Sequence, residues 1–307
     1  MAKKSAKIAA TYFITIIAAL AVVGGTGYFM LGGYLLGDSG GGTLPGIAGT
    51  TADTETTTAA LSTEYAPSDL DARTVIGIYD AGSKPSSTCF VLFRFLPSQS
   101  KLVVVPLQPE IVTNGGGTLY DLYRSGGAQA VKRGLETLTG FPVDKYIALD
   151  DTNFGTFSNL CGNISFNIPY NLIYESEDAS ENIVLKAGEQ MLDNKTLRKV
   201  LIFPIYNGGE EYRATIVGEI VCGMIDNGAK GIFRSAPESV YTELANSGAD
   251  MDISIYDYRD SEEAIKYVLD RNNSPSQLVI PSGVYTDQGY VLDDAFIEAL
   301  PRYFGME

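Results

Sequence analysis

The sequence predicts an α/β fold, a single layered domain with a mixed central sheet flanked by helices, preceded by one N-terminal transmembrane helix. Two observations carry this expectation. After residue 73, β-rich segments alternate with segments whose apolar residues recur at three and four, the pattern of strands connected by helices. Before it stands one long uncharged run behind a cluster of lysines. The overall composition agrees: 45% of the 307 residues are hydrophobic, and 22 basic against 37 acidic side chains leave a formal charge of −15. That is too apolar for a disordered chain, and so acidic a surface repels nucleic acid. A folded part of roughly 230 residues buries about 70% of its unfolded surface, enough for a true core.

Lys3, Lys4 and Lys7 precede an uncharged stretch from Ile8 to Gly37, longer than the ~20 residues that span a bilayer. Residues 8–37 are expected to be a transmembrane anchor, with residues 1–7 a cytoplasmic tail, because basic residues stay on the cytoplasmic side. A cleaved signal peptide is the competing reading; its apolar region would be ~7 to 15 residues, shorter than this one. Residues 38–72 turn to Gly, Thr, Ser and Ala, as in Ser39-Gly40-Gly41-Gly42-Thr43 and Thr56-Thr57-Thr58. Few side chains there offset the entropy of ordering, so the segment reads as a stalk tethering an extracellular domain, 73–307, to the membrane.

Within that domain Thr74 to Asp80, Thr88 to Leu96 and Lys101 to Pro106 read as strands, the last two joined as a hairpin through Pro97-Ser98-Gln99-Ser100. Asn114-Gly115-Gly116-Gly117 marks a loop, and helical periodicity follows over Leu119 to Ser125 and Ala128 to Thr139, with Val131, Leu135 and Leu138 on one face. Phe141-Pro142 ends the second helix and Lys145 to Asp150 is a further strand, so a parallel, right-handed crossover is expected. A short helix at Asn153 to Cys161 stops at Gly162-Asn163 before a strand at Ile164 to Ile168. Helices are expected at Glu210 to Asn227, Pro237 to Ser247, Asp260 to Asp270 and Asp293 to Tyr303, with a strand near Gln277 to Ile280.

The chain has no histidine, which excludes Ser-His-Asp triads, His-ligated zinc and imidazole acid/base chemistry. Cys89, Cys161 and Cys222 are widely spaced in apolar surroundings and read as buried hydrophobes; no spacing marks a metal knuckle.

The order of segments from Arg73 to Phe304 resembles the extracellular domain of the LytR-CpsA-Psr family. The residues concerned are a first strand ending in Asp80, Ser86-Ser87-Thr88 opening the second, and Leu102-Val103-Val104-Val105-Pro106 as the third. Tyr123-x-x-Gly126-Gly127 follows, then Gly140-Phe141-Pro142-Val143-Asp144-Lys145-Tyr146, Leu160-Cys161-Gly162-Asn163-Ile164 and Gly188-x-Gln190-x-Leu192-Asp193. Ile280-Pro281 through Asp293-Asp294-Ala295 resembles the family's C-terminal end. The resemblance implies a membrane-anchored protein that transfers glycopolymers from a polyprenyl-pyrophosphate lipid to peptidoglycan, using Mg²⁺ on two carboxylates and an arginine clamp on the diphosphate.

Carried over residue by residue, most of that chemistry is replaced. Asp80 stands where the family has its first carboxylate, which makes it the one candidate metal ligand, with Mg²⁺ implied by resemblance. The following arginine is Gly82, the second carboxylate is Ser87 and the residue two before it Pro85. The third strand's P-R-D reads Pro106-Leu107-Gln108, the family's asparagine is Tyr120, and its R-x-R pair falls on Ile202 and Pro204. Arg213 in the later helix is the one remaining arginine candidate. Arg124 offers a further cation, and Val131, Leu135, Phe154, Phe157, Ile216, Ile220 and Met224 are candidates to line the apolar cavity the family places between helices and sheet. Each has a plainer reading as a turn cap, an ion-paired residue or solid core.

Three functions are compatible with this pattern. The first is a catalytically degraded family member that binds a polyprenyl-phosphate lipid precursor, or envelope assembly proteins, without transfer. The second is an active phosphotransferase with an unfamiliar residue set, such as Asp80, Arg213 and Asp150 or Asp151; the third is a structural ectodomain.

Overall fold

β1 (Arg73–Asp80) is an alternating strand whose two faces both find a core: Ile76 and Ile78 point one way, Gly77 and Tyr79 the other. In the computed structural model it lies inside a six-stranded sheet, and the described residues form one compact unit. Described are residues 65–82, 84–176 and 181–307. The expected anchor at 8–37, the tail before it and the stalk up to residue 64 lie outside them, and among the described residues no helix is long and apolar enough to cross a membrane.

β2 (Thr88–Leu96) runs antiparallel to β1, with Ile78 opposite Phe90, and turns through a 3₁₀ turn at Pro97–Gln99 into β3 (Lys101–Leu107), as the hairpin signal predicts. Ser100 closes that turn with φ 49°. α1 (Leu119–Thr139) combines the two expected helices across a kink at Gly126 and Gly127, where Gly127 takes φ 64° and ψ −165°, a conformation that only glycine adopts without strain. A capping box between Thr118 and Asp121 starts the helix and Gly140 ends it. β4 (Lys145–Leu149) then pairs parallel with β1, not with β3, so the crossover passes two strands. β9 (Asp250–Met251) and β10 (Ser276–Leu278) complete the order β10-β3-β2-β1-β4-β9.

Each face of the sheet is covered. Ile76, Phe90, Leu92, Val103 and Val105 meet Val131 and Leu135 of α1 and Phe296 and Leu300 of α8 (Asp294–Tyr303). On the other face Tyr79, Val91 and Val104 meet α2 (Asp151–Cys161), α3 (Asn194–Leu201), α4 (Gly209–Lys230) and α6 (Pro237–Asn246). The one-turn α5 (Ile232–Ser235) precedes α6, and α7 (Ile255–Arg271) starts five residues before the expected position because Ser254 and Asp257 form a capping box. Two-stranded ribbons, β5 (Ile164–Ile168) with β8 (Gly188–Leu192), β6 (Leu172–Tyr174) with β7 (Ile183–Leu185) and β11 (Gly283–Thr286) with β12 (Gly289–Leu292), lie outside the main sheet. Order begins before Arg73: the Tyr65 hydroxyl donates to Asp71 at 2.6 Å, and its ring meets Tyr267 edge-on at 5.7 Å.

Because β1, β3 and β4 run the same way and β2 opposes them, Asp80, Thr88, Leu107 and Leu149 share one edge of the sheet, while Arg73, Phe95, Leu102 and Lys145 share the opposite edge. The functional question divides along this line.

Candidate functional site

At the Asp80 edge four positions singled out in the sequence come together. Gly82, Ser87, Ile202 and Pro204, which are distant in sequence, line one pocket of about 200 Å³ with Lys84, Ser86, Glu181 and Arg198. Leu107 does not join them: it is 5% exposed and packs in the α1-side core. Gln108 is also buried and accepts the Tyr285 hydroxyl at 2.6 Å.

The two retained charges are each engaged within the protein. Asp80 takes Arg124 Nη1 on Oδ2 at 3.3 Å, and its Oδ1 accepts the Gly82 amide at 3.2 Å and the Thr88 hydroxyl at 3.4 Å. It acts as a turn cap with a cation beside it. Arg213 is 2% exposed. Its Nη1 pairs with Glu210 at 3.1 Å, and its Nη2 donates to the carbonyls of Ser86 at 2.7 Å and Thr88 at 3.2 Å, clamping the start of β2. Beside it Glu110 Oε2 is buried without a partner among the described residues. Burial, then Glu210, push the Glu110 carboxyl above its usual range, although Arg213 pulls the other way.

A third group closes this edge. Arg198 Nε donates to Asp151 Oδ1 at 2.9 Å, and the Tyr79 hydroxyl donates to the same oxygen at 2.6 Å. Burial raises Asp151, but these two hydrogen bonds outweigh it and hold the carboxyl below its usual range. The Tyr79 ring stacks on Phe154 at 4.2 Å. Arg198 escapes sequence reading because it lies one helical turn before the family's R-x-R register.

The donors do not suit Mg²⁺. One carboxylate already holds an arginine, the second is a serine, and among the described residues no group of three or more His, Cys, Asp or Glu side chains is placed to hold a metal.

Behind Tyr79 lies an apolar cavity of about 150 Å³ lined by Tyr79, Cys89, Phe93, Phe154, Phe157 and Met224 among others. Phe157 also borders a second cavity of about 290 Å³ between the sheet and α4, α6 and α7, lined among others by Phe95, Leu102, Phe233, Leu244 and Tyr258. The candidate lining residues therefore divide. Phe154, Phe157 and Met224 line the cavities; Ile216 and Ile220 are buried in the same core without reaching them. Val131 and Leu135 lie on the other face of the sheet, because helical periodicity marks a buried stripe but not which face it covers. Arg124 is exposed at the Asp80 edge and lines neither cavity. Cys89 and Cys161 are buried, Cys222 is half-buried, and all three are free thiols. Burial pushes Cys161 up to about 12.

Solved structures share this architecture. A transcription regulator of Eubacterium siraeum superposes with a TM-score of 0.72 at 20% identity, over 85% of this chain and 100% of that one. TagV of B. subtilis does so with 0.60 at 14% identity, over 77% of this chain and 98% of its own. B. subtilis TagT, solved with LI-WTA bound, gives 0.56 at 13% identity, over 76% and 89% of the two chains. The chain has the LytR-CpsA-Psr fold. No family model matches the sequence, and no curated protein does.

Proposed function

We propose that the chain is a membrane-anchored extracellular protein of cell-envelope glycopolymer assembly that binds a polyprenyl-linked precursor without transferring it. The fold it shares with TagT, which binds a wall teichoic acid precursor, supports the ligand class. The lysines before residues 8–37 support the anchor and its orientation, with the N-terminus in the cytoplasm. The observation that carries the reading is the pairing of an apolar double cavity with an edge where Asp80 holds Arg124 and Arg213 is tied by both terminal nitrogens to Glu210 and two carbonyls, its Nε alone being without a partner among the described residues. Phosphoryl transfer concentrates negative charge on a diphosphate and depends on cations aimed at it. Arg213 spends its hydrogen bonds on Glu210 and two carbonyls, and Arg124 on Asp80.

One observation favours the alternative of an active phosphotransferase. Lys84 and Arg198 line the pocket of Gly82 and Ser87, and bring two cations to it. Glu181 in the same pocket and Asp151 on Arg198 offset them, so the net charge offered to a diphosphate is close to zero.

The test is to extract the full-length chain from its own membranes and identify bound lipid by mass spectrometry. Polyprenyl phosphate or pyrophosphate at near-equimolar ratio is expected. Its absence from chain that remains folded would turn the reading toward a structural ectodomain.

A further inference from the structure

The two apolar cavities that meet at Phe157 lie in line. β2 floors both with one face of the strand: Cys89, Val91 and Phe93 line the cavity of about 150 Å³, and Phe95, the next residue on that face, lines the one of about 290 Å³. α4 runs along both in the same order, with Val217, Val221 and Met224 at the smaller cavity and Ile225 and Ala229 at the larger. Two separate elements therefore step from one cavity into the other within one or two residues. Among the described residues only Phe157 borders both. The larger cavity joins a third, of about 320 Å³ at the Arg73 edge, far more broadly, through Phe95, Leu102, Tyr241, Tyr258 and Ile265. Between the smaller cavity and the larger, by contrast, stands a single ring.

Phe157 lies on α2 one turn after Phe154, which is stacked on Tyr79. Although it stands within the core on this face of the sheet, it is only half-buried, as expected of a ring flanked by empty space. It meets the Phe233 ring in a near-parallel stack, 6.2 Å between centroids and 19° between planes. Phe233 is the anchored partner. Gly228 of α4 makes room for it, since a Cβ there would stand 2.5 Å from the Phe233 ring. The stack thus holds Phe157 at the neck. An apolar cavity of about 150 Å³ holds one benzene, about six carbons, and the larger cavity about twice that.

Resting on the reading of the cavities as a lipid site, we infer that Phe157 is the residue that sets how far one apolar chain can run inside the domain. With the ring in place the tip of the chain stops at Phe157. Without it the two cavities become one, and the run lengthens by about six carbons or more. The ring selects by chain length, and the head group plays no part in that selection.

The experiment uses the full-length chain in nanodiscs and a series of alkyl phosphates of about 8 to about 20 carbons, bracketing these capacities, each with a terminal diazirine. Peptide mapping reads where the tip labels: Tyr79 reports the smaller cavity, Val240 and Leu244 the larger. In the wild-type chain every probe is expected to label one side of Phe157 only, whatever its length. Phe157→Ala should move the tip label of the longest probes to the other side and leave that of the shortest where it was. Phe157→Leu, which retains more of the packing should the alanine variant fail to fold, should move it in the same sense, and Phe157→Trp should keep the wild-type pattern. Melting curves confirm that each variant is folded. Labelling on both sides in the wild type would mean that the ring divides nothing, and a boundary unmoved in both the alanine and leucine variants would place the barrier elsewhere. Either result overturns this inference while keeping the lipid reading. No labelling of any form by any probe would overturn both this inference and the proposed function.

Discussion

The two edges of the central sheet differ in which groups stay buried without a partner among the described residues. At the Asp80 edge Asp80 meets Arg124, Arg213 meets Glu210 and two carbonyls and Arg198 meets Asp151, while Arg213 Nε and Glu110 Oε2 stay buried without a partner among the described residues. At the Arg73 edge Lys145 pairs with Asp257 at the rim of an opening, and the buried group without a partner among the described residues is the Tyr258 hydroxyl, which has Glu238, Glu262 and Lys266 around it. What a charged side chain is bonded to decides what it can offer a ligand.

The largest expected effect breaks the first half of this comparison. If Arg213 is a structural clamp, Arg213→Met should cost about 3 kcal/mol of stability, because it leaves the carbonyls of Ser86 and Thr88 without their donor and the half-buried Glu210 without its partner. Urea unfolding measures this. A variant of unchanged stability that had lost ligand binding would make Arg213 a ligand contact instead.

Tyr79→Phe comes next. Losing the bond to Asp151 should cost about 1 kcal/mol in the same denaturation assay and also loosen the closure beside Phe154. A neutral effect would mean that the edge is closed by ring packing alone.

Glu110 sharpens the comparison through pH. Its carboxyl is raised by burial and Glu210, so the folded state resists its ionisation, and stability should fall as pH rises through the folded-state pKa. Glu110→Gln should flatten that slope and raise the melting temperature at neutral pH. An unchanged slope would assign the pH dependence to other groups. Asp257 has the opposite sign: Lys145 and Ser254 hold it at about 2, so its contribution is present above about 4 and lost toward about 2.

The smallest effect is expected from Arg124→Ala. The pair with Asp80 is largely solvated on the arginine side, and such pairs contribute about 0–1 kcal/mol. A much larger loss would show that Asp80 needs its cation to hold the turn into β2.

The sheet was largely legible before the structure. β-rich composition marks β1, the Pro97–Ser100 turn marks the β2–β3 hairpin, and apolar spacing with the stop at Phe141-Pro142 marks the second half of α1, though not its union with the first half across Gly126-Gly127. α3 was not anticipated, although Asp193 caps it through the Thr196 amide and Leu197, Val200 and Leu201 form its buried face; eight residues give too short a period to stand out. The ribbon strands are too short to show an alternation. At the site, the replacements at Gly82, Ser87, Ile202 and Pro204 were legible as positions, and they do converge. Leu107 was expected at the mouth but lies in the core. The fate of Asp80 and Arg213 was not legible, because pairing depends on contacts across 44 residues for Arg124 and 127 for Ser86. The unpartnered Tyr258 hydroxyl has no sequence signal at all.

The central claim, binding without transfer, is tested most directly by single-turnover assay of the full-length chain in nanodiscs with a radiolabelled lipid-pyrophosphate glycan donor and peptidoglycan acceptor, with and without Mg²⁺. A LytR-CpsA-Psr protein that keeps the P-R-D and R-x-R residues serves as the parallel sample. The account predicts donor that stays bound and intact over the time in which that sample transfers it. Transfer at a comparable rate, lost on Asp80→Ala, would contradict it.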